Sequence, residues 1–169
     1  MERTVSMHGN PLKLSGNELK VGQKAPDFKV VDNNLTPTGP SSFQGKVKVI
    51  VSVPSLDTPV CDLETRRFNA EAGKLGNDVA VLTISMDLPF AQKRWCGAVD
   101  ATHVKTLSDH RDADFGQAYG VLIPDLRLLA RAVFVVDKND VLKHIEIVSE
   151  LTNEPDYAAC LKAVGDCLK

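Results

Sequence analysis

Three apolar stretches of strand length constrain the fold more than any other feature of the sequence. They are KVKVIVSV at 46–53, VAVLTISM at 79–86 and RAVFVVD at 131–137. Strands this continuously apolar are typical of a sheet that is covered on both faces. Helical patterns follow the first two stretches, as a βαβ connection requires. The stretch VLKHIEIV at 141–148 follows the third across the turn DKND, which predicts an antiparallel hairpin.

Helical spacing and turn residues predict the remaining elements. Five residues recur at alternating intervals of four and three and so form one face of a predicted helix: Cys61, Thr65, Phe68, Ala72 and Leu75. This helix is expected to end at Gly76-Asn77. A second helix is predicted from an N-cap at Asp87 to Gly97, and a C-terminal helix from about Asn153, with Pro155 early in it. TVSM and LKL flank the turn HGNP and predict an N-terminal β-hairpin. The fold class is therefore α/β, with a central mixed sheet, flanking helices and an N-terminal hairpin.

Length, charge and hydropathy exclude several classes of protein. A chain of 169 residues is expected to form one domain, residues 1–169. Its net charge of -2 gives no electrostatic basis for binding nucleic acid or an anionic membrane. No apolar run approaches the roughly 20 residues of a membrane-spanning helix. The N-terminal segment lacks the apolar core of a signal peptide, so we expect a cytoplasmic location.

Four cysteines are scattered along the chain, at Cys61, Cys96, Cys160 and Cys167. They form no C-x-x-C pair and no Cys/His cluster with zinc-ligand spacing, so we expect no metal site. Two interpretations remain: thiol chemistry at one or two positions, or four small core residues. Cys160 lies on the apolar stripe of the last helix and is expected in the core, whereas the reactivity of Cys167 is left open.

The stretch PSLDTPVC presents Cys61 at the start of a helix. Thr58 is a natural N-cap and Pro59 suits the first helical position, so Cys61 falls beside unpaired backbone N–H groups. A free cysteine with a pKa of about 8.5 is only ~3% ionised near pH 7. Lowering such a pKa to about 6 takes ~3.4 kcal/mol. The helix terminus supplies about 0.3–1 kcal/mol, and a hydroxyl and a guanidinium group could supply the rest, since each hydrogen bond to a charged group is worth about 1.5–3 kcal/mol.

These residues resemble a known family. PSLDTPVC fits the pattern P-x-x-x-T-x-x-C of peroxiredoxins, and the wider chain is similar to the bacterial thiol peroxidase branch of the atypical two-cysteine peroxiredoxins. The supporting stretches run from about residue 20 to 137; they are VGQKAPDF, SVPSLDTPVCDLETRRFN, TISMDLPFAQKRWCGA, LSDHRDADFGQAYGV and LLARAVFVVD. The resemblance implies a thioredoxin-like fold and a thiol-dependent peroxidase.

The resemblance also implies roles for five residues. Cys61 would be the peroxidatic cysteine, and Cys96 would resolve its sulfenic acid as an intramolecular disulfide. Thr58 would hydrogen-bond to the sulfur and the peroxide, and Arg131 would stabilise the thiolate and the developing oxyanion. Pro54 would shield the pocket. The substrates would be hydrogen peroxide and organic or lipid hydroperoxides, thioredoxin would be the reductant, the chain would form a homodimer, and no cofactor would be needed.

Simpler interpretations stand beside these roles. Arg131 could be a surface charge on an edge strand, and Cys96 could be a packed residue near a helix end. The expected helix stop at Gly97 makes local unwinding inexpensive, which favours the resolving role of Cys96 instead. Glu64 and Arg67 are expected to be surface partners, and Trp95 a core residue beside Cys96. Three other functions fit parts of the pattern: a one-cysteine peroxidase, a redox sensor that controls a partner, and a thioredoxin-like domain used only for binding.

Overall fold

The three apolar stretches form the centre of a seven-stranded mixed sheet. A computed structural model describes residues 2–169. Its strands are β1 (Arg3–Met7), β2 (Asn10–Leu14), β3 (Val30–Val31), β4 (Pro37–Thr38), β5 (Val47–Ser52), β6 (Val79–Ser85), β7 (Lys105–Ser108), β8 (Leu122–Ile123), β9 (Leu128–Leu129), β10 (Ala132–Val136) and β11 (Leu142–Ile147). The order in the main sheet is β11-β10-β5-β6-β7-β3-β4, with β5, β6 and β7 parallel to one another. The predicted hairpin of β10 and β11 is confirmed.

Both faces of this sheet are buried, as the apolar strands predict. Side chains alternate between the two faces along a strand. In β5, Ile50 packs into one core cluster, whereas Val49 and Val51 pack into the other. The second cluster also contains Cys61, so the candidate site belongs to that face of the sheet.

Within residues 2–169, four α-helices accompany the sheet: α1 (Pro59–Leu75), α2 (Pro89–Val99), α3 (Asp114–Ala118) and α4 (Tyr157–Cys167), with a 3-10 helix at Pro40–Phe43. The predicted bounds of α1 are confirmed, from an N-cap at Thr58 to a C-cap at Gly76. Three other boundary predictions are wrong. The N-cap of α2 is Leu88, not Asp87, and the helix continues past Gly97 until Asp100 adopts a left-handed conformation. Pro155 precedes α4, because the Asp156 side chain caps that helix by accepting from the Ala159 N–H.

The predicted N-terminal hairpin is present and is joined to the rest of the fold. Strands β1 and β2 pair across His8 and Gly9, which both have positive φ, as a tight two-residue turn requires. The Ser6 N–H donates to the Ser149 carbonyl oxygen, and the Leu151 N–H donates to the Ser6 carbonyl oxygen. The hairpin therefore holds the segment that follows β11.

Candidate active site

The loop between β5 and α1 is fixed by a single carboxylate. Asp87 accepts hydrogen bonds from the Ser55 hydroxyl (2.7 Å) and the Leu56 N–H (2.8 Å). It also accepts one from the Ser85 hydroxyl (2.6 Å), at the end of β6. Because β5 and β6 are parallel neighbours, their carboxyl ends meet at one edge of the sheet. Asp87 thereby ties the segment that leads to Cys61 to this edge.

Cys61 lies in the first turn of α1 and has no exposed surface. A guanidinium nitrogen of Arg131, Nη2, lies 3.4 Å from its sulfur. Arg131 precedes β10 and is only 2% exposed, so its interpretation as a surface charge is wrong. At this distance the buried guanidinium can donate a hydrogen bond to the sulfur, and a hydrogen bond from a charged donor is stronger than one between neutral groups.

The position of Arg131 is set by two other groups. Its Nε and Nη2 donate to the Leu151 carbonyl oxygen at 3.0 and 2.8 Å, and its Nη1 donates to Glu64. Burial alone would lower the pKa of Arg131, but Glu64 and Cys61 hold that pKa above its ordinary value. The guanidinium therefore stays positively charged in the core.

Glu64 is the residue that sequence reasoning misassigned. It was expected on the surface with Arg67, yet it is fully buried against Arg131 and its Oε1 has no hydrogen-bond partner. Burial raises the pKa of Glu64 to about 7, although Arg131 opposes this shift. Arg67 stays exposed and stacks on the Tyr157 ring at 4.3 Å. The available signal was the spacing: Glu64 is three residues from Cys61 and hence on the same helical face.

Thr58 and Pro54 lie in the segment that leads into α1, and their side chains differ in burial. The Thr58 hydroxyl donates to the Ser55 carbonyl oxygen at 2.9 Å and makes no hydrogen bond to the sulfur or to the helix N–H groups. Thr58 is thus an N-cap by position, but its side chain does not cap the helix, because it closes a turn with Ser55 instead. Pro54 is buried, whereas Asp57, Thr58 and Pro59 are exposed. Residues two to four positions before Cys61 therefore reach the surface, although Cys61 itself is buried.

Cys96 is half-buried in the last turn of α2, and all four cysteines are free thiols. Its sulfur lies 3.3 Å from the hydroxyl of Thr106 in β7. Strands β10 and β7 are separated by β5 and β6, a distance on the order of 14 Å at the usual strand spacing. Since Cys61 contacts the residue before β10 and Cys96 contacts β7, the two sulfurs do not meet in this structure.

The other cysteines lie outside this site. Cys160 is buried in α4, as predicted, and burial raises the pKa of its thiol to about 12. Burial also raises the pKa of the half-buried Cys167. Among residues 2–169, His, Cys, Asp and Glu form no group of three or more suited to a metal ion. Nor does any helix in this part of the chain have the length and apolarity to cross a membrane.

Comparison with known proteins assigns the chain to a family. The redoxin family profile matches residues 20–161. The thiol peroxidase of Halalkalibacterium halodurans is 56% identical over 98% of this chain and 99% of the relative. The thiol peroxidase of Bacillus subtilis is 53% identical over 98% of both chains. The solved structure of a peroxiredoxin-like protein from Aquifex aeolicus superposes with a TM-score of 0.91 at 43% identity, covering 98% of this chain and 97% of that one.

These relatives are consistent with the fold and with the buried contact between Cys61 and Arg131, since all of them indicate the same family. The chain belongs to the redoxin family and, within it, to the thiol peroxidases, peroxiredoxin-type oxidoreductases that reduce peroxides with a thiol.

Proposed function

We propose that Cys61 is the peroxidatic cysteine and that it reduces hydrogen peroxide and organic or lipid hydroperoxides. The observation that carries this proposal is the Arg131 guanidinium, buried and 3.4 Å from the Cys61 sulfur. A fixed positive charge favours the thiolate and also the negative charge that develops on the departing oxygen. Burial raises the pKa of the Cys160 and Cys167 thiols, and at Cys167 this effect outweighs the opposing charge of Lys143.

The first step is a nucleophilic displacement at oxygen. The thiolate of Cys61 forms a bond to the terminal oxygen of the hydroperoxide while the O–O bond breaks. Cys61 becomes a sulfenic acid, and the remaining oxygen leaves as alkoxide or hydroxide, which takes a proton from solvent. Since Cys61 has no exposed surface, the peroxide enters when residues 57–60, which follow the two residues held by Asp87, move aside. Thr58 then turns its exposed hydroxyl towards the peroxide, and Pro54 limits the access of water.

The second step is resolution by Cys96. The Cys96 thiol attacks the sulfenic sulfur, an S–S bond forms, and the oxygen leaves as water with the thiol proton. A disulfide needs a Cα separation of about 4.4–6.8 Å, so the first turn of α1 and the end of α2 must both loosen. Cys96 borders a surface cleft with Asn33, His103 and Thr106, which supports reduction of the disulfide by an external dithiol protein, thioredoxin.

We also propose a homodimer and a cytoplasmic location. Three large apolar side chains are exposed near the starts of α1 and α2: Leu63 (53%), Leu88 (53%) and Phe90 (67%). Exposed apolar side chains on neighbouring segments support a protein interface. Replacing Phe90 with Glu should therefore shift the sedimentation coefficient towards that of a monomer, and an unchanged coefficient would contradict an interface at this position.

The experiment that tests the proposed function combines mass spectrometry with turnover. After one equivalent of hydroperoxide, peptide mapping without reductant should find Cys61 linked to Cys96. Cys61→Ser should abolish peroxide turnover, while Cys96→Ser should undergo the first oxidation and fail to turn over with thioredoxin. Turnover by Cys61→Ser at the parent rate would refute the assignment. Full turnover by Cys96→Ser would instead favour a one-cysteine peroxidase. If the parent protein forms the disulfide but does not turn over repeatedly with thioredoxin, a redox sensor would be favoured.

A further inference from the structure

A hydrogen bond joins the immediate neighbours of the two proposed redox cysteines. The indole Nε1 of Trp95 donates to the Asp62 carboxylate at 2.7 Å. Asp62 directly follows Cys61 in α1, and Trp95 directly precedes Cys96 in α2. The bond therefore spans the two segments that must move for their sulfurs to meet.

This contact is well placed to oppose that movement. Trp95 is only 8% exposed and packs in the same core cluster as Cys61 and Phe68. The Asp62 side chain is 34% exposed and also accepts from Arg66 Nε at 2.8 Å. Hydrogen bonds to an ionised acceptor are roughly twice as strong as neutral ones. Moving either segment breaks the bond and leaves a buried indole N–H without its acceptor.

The hydrogen bonds of Asp87, called the Asp87 anchor below, differ from the bond between Asp62 and Trp95 in their distance along the chain from the cysteines. Asp87 holds Ser55 and Leu56, which precede the helix, to the sheet edge at Ser85. Neither end of that anchor is next to a cysteine in sequence, so the first turn of α1 can unwind while the anchor stays closed. The bond between Asp62 and Trp95 has no such freedom, because each of its ends is one residue from a reacting sulfur.

We propose that Asp62 and Trp95 are positioning residues that set the rate of disulfide formation after Cys61 has been oxidised. This inference rests on the proposed function of Cys61 and Cys96. While the bond is closed, the Cys61 sulfenic acid stays in its pocket, where a second hydroperoxide can transfer an oxygen to sulfur, giving sulfinic acid and an alcohol. Once the bond opens, Cys96 attacks instead and water leaves. The bond thus sets the partition between resolution and overoxidation.

The test compares variants of each partner in the full chain. Trp95→Phe removes the donor and keeps an aromatic ring, whereas Asp62→Ala removes the acceptor. Arg66→Ala is the matched control, because it removes the other partner of Asp62 and leaves the indole bond intact. Each protein is mixed with cumene hydroperoxide, quenched at intervals with acid and analysed by mass spectrometry for sulfenic acid, disulfide and sulfinic acid.

We expect Trp95→Phe and Asp62→Ala to form the disulfide about tenfold faster than the parent, equivalent to 1.4 kcal/mol. Both should accumulate less sulfinic acid under excess hydroperoxide, while Arg66→Ala behaves like the parent. The double variant should be no faster than either single variant, because both remove the same bond. A general loss of packing would not produce this combination of faster resolution and non-additivity.

Two failures are distinguishable. If the parent chain forms no disulfide between Cys61 and Cys96, the proposed function fails and this inference with it. If the parent forms that disulfide but both single variants resolve at the parent rate or more slowly, or their effects add in the double variant, the inference alone is overturned.

Discussion

At the scale of single residues, the chemistry proposed for this site rests on three buried groups, Cys61, Arg131 and Glu64. One guanidinium lies between a sulfur and a carboxyl group and contacts both of them. The sequence pointed to Cys61 and Arg131 through the motif, but pattern reasoning treated Glu64 as a surface residue because charged residues are rarely fully buried. Its burial follows from Arg131, which was itself recognisable only by resemblance.

Arg131 is predicted to be essential for the reaction with peroxide. Arg131→Lys keeps a positive charge but loses the planar fork that contacts Cys61, Glu64 and Leu151 together. The second-order rate of Cys61 oxidation by hydroperoxide, measured by stopped flow, should fall at least about 100-fold. Arg127→Lys, at an exposed arginine, is the matched control. A parent-like rate in Arg131→Lys would remove the guanidinium from the site.

Glu64 is predicted to make the stability of the protein depend on pH. Burial raises its pKa from 4.5 to about 7, so its favourable contribution is complete below pH 4.5 and is lost as the pH rises through about 7. The free energy of unfolding of the parent should therefore fall by about 1–3 kcal/mol more than that of Glu64→Gln over this range. Urea unfolding at a series of pH values measures this difference in the free energy of unfolding, with Glu71→Gln as the control variant. Parallel curves for parent and Glu64→Gln would contradict the account.

At the scale of elements, the sequence predicts a strand or helix best where its apolar run or helical spacing continues without interruption. Strands β5, β6 and β10 and helix α1 follow directly from apolar runs and helical spacing. Strand β7 was not predicted, because KTLS is short and mixes polar with apolar residues, and its place depends on pairing with β6. The end of α2 depends on the left-handed conformation of Asp100, and no local pattern distinguishes it from Gly97.

The anchor between the Cys61 loop and β6 leads to a prediction about both elements. Asp87→Ala removes the acceptor of the Ser55 hydroxyl, the Leu56 N–H and the Ser85 hydroxyl. It should lower the free energy of unfolding by about 1–3 kcal/mol and speed hydrogen exchange at the Leu56 amide. Asp57→Ala, at an exposed position two residues beyond Ser55, should change neither quantity. Unchanged exchange at Leu56 in Asp87→Ala would show that the loop does not need this anchor.

At the scale of the whole molecule, the N-terminal hairpin is connected to the site through the backbone. Ser6 of β1 pairs with the segment 149–151, and the Leu151 carbonyl oxygen accepts two bonds from Arg131. Glu150 strengthens this junction, because it accepts from the Ser6 hydroxyl (2.7 Å) and the His8 N–H (2.9 Å). The sequence predicted the hairpin, but not this support of Arg131, since the partners are more than 140 residues apart.

We therefore predict that residues 1–169 unfold as one cooperative domain. Far-UV circular dichroism and the fluorescence of Trp95, the sole tryptophan, should give coincident urea transitions. Glu150→Ala should lower both midpoints together, because the hairpin and the core are held by the same junction. Separate transitions in the two signals would instead mean that the chain unfolds in independent parts.

The central claim is that Cys61, and no other thiol, attacks the peroxide. The most direct measurement treats Cys96→Ser with one equivalent of hydroperoxide in the presence of dimedone and maps the trapped sulfenic acid by mass spectrometry. The account predicts a dimedone adduct at Cys61 in Cys96→Ser, and loss of this adduct in the double variant that also carries Arg131→Lys. An adduct at Cys160 or Cys167 in place of Cys61, or none at Cys61 although peroxide is consumed, would contradict it.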